Sequence, residues 1–300
     1  MKRFAVFFIF LAGVLWGSMG VFVRRFNALG LASMEIVALR AIVTAAVMLC
    51  YLGIFHRELL KVRLRDLWCF LGTGICSIVF FNFCYFKAIT ITSLSVAAIL
   101  LYTAPAIVMV LSRILFQEKF TARKVLSLIL TFVGCLFVTG VFEEAGAVSG
   151  KGILVGLGAG LGYALYSVFS RYALERGYHS LTITCYTFVI ASVASLFFSD
   201  IGRVATAAFC SVPMGMFSVL FGVLCTVAPY LLYTLGLTSM ENGKASVIAS
   251  VEPVTATILG VVLFGEQLTV TGIAGIAFVL AGLFLLSGFI GSVPDGRRDN

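Results

Sequence analysis

One carboxylate stands apart from the other acidic residues of the chain. Glu252 lies within an apolar run, directly before Pro253 and eight residues after Lys244. At a helical rise of about 1.5 Å per residue, it sits roughly 12 Å in from that lysine. A proline removes a backbone hydrogen bond and can break a helix at that point. A carboxylate at such a break, deep in an apolar layer, can exchange a proton, hold a cation or meet a substrate amine. It can equally satisfy backbone groups freed by the proline. The residue 148 positions earlier is Ala104, so the acid is not something each copy of this stretch requires.

Aromatic and polar side chains recur with it at helical spacing. Trp16 and Met19 are three apart, as are Asn82 and Tyr85, Tyr163 and Tyr166, and Tyr230 and Tyr233. Residues three apart share a helix face. Tyr102 falls opposite Ser250 at the same 148-residue offset. Together these residues are expected to line one central cavity and, with Glu252, to bind a substrate. Ordinary helix packing and an interfacial aromatic belt are the competing uses of such residues. Arg40, five residues after Glu35, can snorkel outward, pair with Glu35, act as a gate, or contact substrate. Lys244 and Lys87 stand at the ends of apolar runs, and Lys244 joins Glu252 and Arg40 as a coupling or gating candidate. Glu118 and Glu266 each precede a threonine by three residues. They read as turn residues bonding backbone amides, with Thr121 and Thr269 as helix N-caps.

The elements that must position these residues are set by composition. The chain has 300 residues, of which 61% are hydrophobic and only 11% charged, with a mean hydropathy of +1.11. A soluble surface needs roughly a quarter of its residues charged, and a disordered chain needs far lower hydrophobicity. The chain therefore reads as an all-α polytopic membrane protein. A transmembrane helix takes about 20 apolar residues, and ten candidate runs meet that measure: 4–23, 32–54, 67–86, 93–116, 123–142, 152–172, 180–199, 212–235, 244–264 and 271–290. The first is too long for a signal peptide and lacks a small-residue cleavage site. The runs are continuous rather than alternating, which excludes barrel strands.

The net charge of +8 reads as topology rather than as nucleic-acid binding. With the N-terminus inside, 15 of the 21 Lys and Arg residues fall on the cytoplasmic side. Both termini are then cytoplasmic, in a multi-pass protein of the plasma (cytoplasmic) membrane. Eight cysteines lie mostly in apolar runs without a CxxC pair and read as small core residues. With two histidines in the chain, neither a metal site nor a cofactor is expected.

The chain also repeats itself. At an offset of 148 residues, 80–140 aligns with 228–288 without a gap, with 11 identities in 61 positions. Leu115-Phe116-x-Glu118-x-x-Thr121 meets Leu263-Phe264-x-Glu266-x-x-Thr269, and Pro105 meets Pro253. Val21-Phe22-x-Arg24 meets Val168-Phe169-x-Arg171 at an offset of 147. Five helices per copy is an odd number, so the copies enter the membrane from opposite faces. The expectation is ten transmembrane helices as two inverted five-helix repeats, residues 1–146 and 147–292, followed by a short polar tail at 293–300. Inverted repeats are the architecture of alternating-access transporters, with substrate held between the halves.

At this level the chain resembles the EamA type of the drug/metabolite transporter superfamily. The resemblance rests on the ten runs, the two halves, the stretches Pro105–Glu118 and Glu252–Glu266, the Gly13-Val14-Leu15-Trp16-Gly17-Ser18 start, and Arg40. It covers essentially the whole chain. It implies export of a small metabolite, such as an amino acid or related compound, by a secondary mechanism, with the bilayer as surroundings and protons or cations as candidate coupling partners.

Other chemistry finds little support. The glycines 156, 158, 160 and 162 lie inside an apolar run and read as close helix packing. No GxxxxGK[ST], HExxH or GxSxG motif occurs. An intramembrane enzyme would need a cluster of nucleophilic, acid–base or metal-binding groups, so the chain is not read as an enzyme. A non-transporting scaffold or lipid scramblase is the main competing function.

Overall fold

Hydropathy of this kind leaves the backbone only one way to satisfy its hydrogen bonds away from water, which is within helices. In a computed structural model of the protein, residues 2–141 and 149–287 are described, and they form helices throughout, with no strand among them. We number the apolar helices α1 (Phe4–Ala28), α2 (Ser33–Phe55), α3 (Leu64–Ile91), α4 (Leu94–Phe116), α5 (Ala122–Val138), α6 (Gly150–Glu175), α7 (Ser180–Phe198), α8 (Val212–Leu237), α9 (Asn242–Phe264) and α10 (Val270–Ser287). A further short helix, Ile201–Phe209, precedes α8.

Eight of these are long and apolar enough to cross a membrane. In α10, Val270–Leu286 is apolar but shorter, and α5 spans 17 residues with Arg123 and Lys124 in its first turn. The expectation of ten spans is thus met at eight by length and composition. The predicted ends at 142 and 290 and the tail at 293–300 lie outside the described residues. Arg24 and Arg25, expected just beyond the first span, are helical instead. Arg25 lies in the last turn, where a cation complements the helix dipole.

Local backbone features recur at the 148-residue offset. A π-helical segment interrupts α3 at Gly72–Val79 and α8 at Val223–Val227. α4 breaks between Leu101 and Ala104, and α9 between Ala249 and Glu252. In each case a proline sits in the first turn of the second half-helix, where its missing N–H costs nothing. α4 ends at Gln117 with φ 56°, and α9 at Gly265 with φ 67°. The Glu118 and Glu266 amides then reach back to Ser112 O and Gly260 O, both at 3.2 Å. Thr121 and Thr269 cap α5 and α10, accepting from Lys124 N at 3.3 Å and Gly272 N at 3.1 Å.

Packing repeats as well. α1 lies along α8 and α9, and α6 lies along α3 and α4. α2 packs on its equivalent α7, and α5 on its equivalent α10. The α5–α10 contact brings backbones together: a Cβ on Gly134 would stand 2.7 Å from Gly275 O. The glycines of α6 act likewise, since a Cβ on Gly160 would meet Leu100 O at 2.9 Å and one on Gly162 would meet Phe81 Cα at 2.9 Å. α1, α3, α4, α6, α8 and α9 thereby surround a common centre, flanked by α2 with α7 and by α5 with α10.

Candidate functional site

The break in α9 brings Glu252 into that centre. Pro253 does not interrupt a continuous helix. The chain turns at Ser250–Val251 and restarts, leaving Glu252 as the first residue of the second half-helix. α1 approaches closely here because residue 17 is glycine; a Cβ there would stand 2.5 Å from Glu252 O. The Tyr163 hydroxyl donates to Glu252 Oε2 at 3.4 Å.

Tyr163 also divides two small cavities. One is bounded by Tyr102, Pro105, Tyr163, Ser246, Ser250 and Glu252 among others. The second is bounded by Trp16, Ser77, Phe81, Tyr163, Tyr166 and the α8 tyrosines, with Ser167 at its edge. Each holds about 10 Å³, room for about one water. A small-molecule site needs some 300 Å³ or more, so the aromatic walls must part before a metabolite can enter.

Those walls are held by ring contacts and hydroxyl bonds. The Trp16 ring lies 5.1 Å from Tyr230, 5.4 Å from Tyr233 and 6.2 Å from Tyr163. Tyr230 meets Tyr166 and Phe188 edge-on at 4.8 and 4.9 Å. Edge-to-face geometry is the favoured one for such rings. Tyr166 shares a hydrogen bond with Thr234 Oγ1 at 3.0 Å, and Tyr233 one with Ser167 Oγ at 2.8 Å. Trp16 Nε1 is buried without a partner.

Arg40 departs from two of its sequence readings. It neither snorkels nor pairs with Glu35. The residue is 3% exposed, and Nη1 donates to Met19 Sδ at 3.3 Å. Glu35 instead accepts from Ala32 N at 2.7 Å and pairs with Arg203 at 3.4 Å. Met19 therefore serves Arg40 and packs against the aromatic core rather than bounding either cavity.

Two expected wall residues border neither of these cavities. Asn82 Nδ2 donates to Ile78 O at 2.7 Å, within its own helix. Tyr85 packs on Phe81 and Phe86, while its hydroxyl still interacts through space with Glu252 and Tyr102. The π segment before them is longer than its counterpart in α8, and it turns the cavity face to Ser77, Ile78 and Phe81 instead. Lys244 is not at this site. It is half exposed at the start of α9 and pairs with Glu241 at 3.5 Å.

Sequence reasoning also missed a second constellation, at the end of the bundle. Glu118 bonds backbone amides as expected, but not those of its own turn. It accepts from Asn242 N at 2.7 Å and Gly243 N at 3.1 Å, capping α9 of the other half. Lys124, buried, lies 3.8 Å from Glu118 and 2.9 Å from Glu241. Burial opposes the charge of Glu241, but the hydrogen bond and charge of Lys124, joined by Lys244, outweigh it and hold the carboxyl below its usual range. The equivalent acid, Glu266, pairs instead with Arg24, which stacks on Phe264 at 4.1 Å. Elsewhere, Asp66 joins Arg176 at 3.2 Å and Tyr178 at 2.8 Å, Arg171 reaches Leu237 O at 3.0 Å, and Ser199 reaches Met34 O at 3.1 Å.

Comparison with known proteins places this geometry in context. The model of the EamA-like transporter family matches residues 3–140 and again residues 150–288. An uncharacterized transporter from Archaeoglobus fulgidus is 32% identical over 203 residues, covering 67% of this chain and 70% of its own. The uncharacterized transporter YxxF of Bacillus subtilis is 27% identical over 290 residues, covering 95% of this chain and 89% of its own. A solved crystal structure superposes with a TM-score of 0.77 at 17% identity, over 94% of this chain and 95% of that one, a likeness of fold alone.

Proposed function

The chain belongs to the EamA-like transporter family, and from that premise we propose that it is a secondary transporter that exports a small metabolite, an amino acid or related compound, by alternating access. Its halves, residues 1–146 and 147–292, are inverted repeats. It resides in the plasma membrane with both termini cytoplasmic. Contacts between connecting segments support alternating crossings from α2 to α9, with α5 among them. The start of α3 bonds the α6–α7 turn, and the α4–α5 turn bonds the start of α9. The α1–α2 region bonds both the segment after α7 and the α9–α10 turn. These pairings stay on one side each only if α5 also crosses.

One asymmetry carries the reading. Equivalent residues in two inverted halves occupy different states. Glu118 is 10% exposed and caps α9, while Glu266 is 46% exposed and pairs with Arg24. The first arrangement ties the halves together at the face assigned to the cytoplasm. In the opposite state the roles exchange. Glu266 then caps the start of α4 at Leu94 and Ser95, the equivalents of Asn242 and Gly243, and Glu118 pairs with Arg171, the equivalent of Arg24. Substrate binds at the centre between Glu252 and the aromatic walls, with Tyr163 between the two cavities. Glu252 couples transport to a proton or cation, since a carboxylate there changes charge at lower cost than it can be kept bare.

The test is flux in proteoliposomes under an imposed pH gradient, from a pooled set of amino acids and related metabolites. Saturable movement of one compound, driven by the gradient in wild type and uncoupled in Glu252→Gln, is the expected result. Equal coupled movement in both returns Glu252 to a structural role. Absence of movement across the pool, or movement without saturation, contradicts the transport reading.

A further inference from the structure

A guanidinium in an apolar core is normally matched by a carboxylate, because a buried ion loses its hydration and needs a partner to replace it. Arg40 has no such match among the described residues. Its nearest acid in sequence is engaged by Arg203 and Ala32. Its sole side-chain partner is a thioether, a weak acceptor, and Nη2 has none. The Trp16 indole N–H is a second buried donor without an acceptor. Both belong to one neighbourhood. Trp16, Tyr230 and Ala41, the residue next to Arg40, share a core cluster, and Met19 packs against it. The Arg40 charge acts on Tyr230 and Glu252 through space. The centre thus holds two orphan donors, of which Trp16 borders the second cavity and Arg40 borders neither, and one acid that borders the first.

We propose that Arg40 and the Trp16 N–H form the subsite for a carboxylate of the transported molecule. A planar carboxylate fits the guanidinium fork and leaves an oxygen for the indole. Charge decides against a phosphate: one arginine facing Glu252 balances a zwitterion, or a monoanion once Glu252 is protonated, whereas a dianion would leave excess negative charge in an apolar layer. Amines lacking a carboxylate leave both donors unsatisfied, and a site with unpaired polar groups rejects a ligand strongly. The inference deepens the transport reading and rests on it for the location of the site.

The experiment uses matched triples on purified protein in detergent: an amino acid, the amine lacking its carboxylate, and the acid lacking its amine. Leucine, isopentylamine and 4-methylpentanoate form one set; phenylalanine, phenethylamine and 3-phenylpropanoate form another. Thermal protection by titrated ligand reads binding, and counterflow in proteoliposomes reads transport. Wild type is expected to be protected by at least one carboxylate-bearing member and not by its amine. Trp16→Phe keeps a ring and removes one N–H; affinity should fall about tenfold or more, as for a lost bond to a charged group. Arg40→Gln should abolish protection and Arg40→Lys restore part of it. If Arg40→Gln fails to fold, Trp16→Phe still decides. Protection by amines equal to that by carboxylates, no protection by any carboxylate, or unchanged affinity in Trp16→Phe overturns the subsite. Binding without flux contradicts the transport reading and leaves the subsite standing.

Discussion

Glu118→Gln isolates the tie between the halves. In the wild type the carboxylate accepts from Asn242 N and Gly243 N at 2.7 and 3.1 Å, with Lys124 at 3.8 Å. Its side chain is only 10% exposed, so water screens little of this. Glutamine retains one acceptor oxygen and can keep one amide. It loses the charge and the second bond. A hydrogen bond to a charged group contributes about 1.5–3 kcal/mol. At 1.4 kcal/mol per tenfold, the closed arrangement should lose about 10- to 150-fold in population against the open one. Amide hydrogen exchange reads this directly, because Asn242 and Gly243 supply the bonded N–H groups. Their exchange should accelerate by that factor, while amides in α5 and α10 hold their rates. Unchanged exchange at these two amides, in a variant that unfolds at the wild-type temperature, would refute the reasoning.

Other outcomes follow from the same geometry. Tyr163→Phe removes the donor to Glu252 at 3.4 Å; a shift in the pH dependence of flux, with the melting temperature nearly unchanged, is expected from flux profiles of the two proteins. Gly134→Val places a side chain against Gly275 and should destabilise by about 1–3 kcal/mol as overpacking, read as a lower melting temperature in detergent. Glu241 has a folded carboxyl pKa below its usual value, so its stabilising contribution is present above the ordinary glutamate range and is lost as pH falls through the lowered value. The stability gap between wild type and Glu241→Gln should therefore be open at pH 7 and narrow as the pH falls through that lowered value, measured by thermal unfolding.

Much of the fold is legible in the sequence because hydropathy and repetition are local or nearly periodic signals. The broken helices could be foreseen from Pro105 and Pro253, and the capping threonines from their distance to Glu118 and Glu266. The site is legible where regular helices present residues three apart: Trp16, Tyr163, Tyr166, Tyr230 and Tyr233 do meet at one centre. Asn82 and Tyr85 fall off the cavity face because spacing arguments assume 3.6 residues per turn, and the π segment before them runs eight residues against five before Tyr230 and Tyr233. Ser167, one turn beyond Tyr163, could have been found by extending the same face. Three relationships left no local mark. Arg40 lacks a carboxylate because Glu35 turns to Arg203, Met19 serves the arginine, and Glu118 reaches a helix 124 residues away. Each depends on which helices become neighbours.

The central claim is that the two faces open in alternation, and paired distances test it most directly. With exposed Cys50, Cys76 and Cys210 replaced, spin labels at Lys119 and Thr238 report the Glu118 face, and labels at Leu29 and Gln267 report the Glu266 face. The account predicts reciprocal change: Glu118→Gln, or substrate where it shifts the equilibrium, lengthens the first distance while shortening the second. Faces that open together, or one that moves while the other stays fixed, would contradict it.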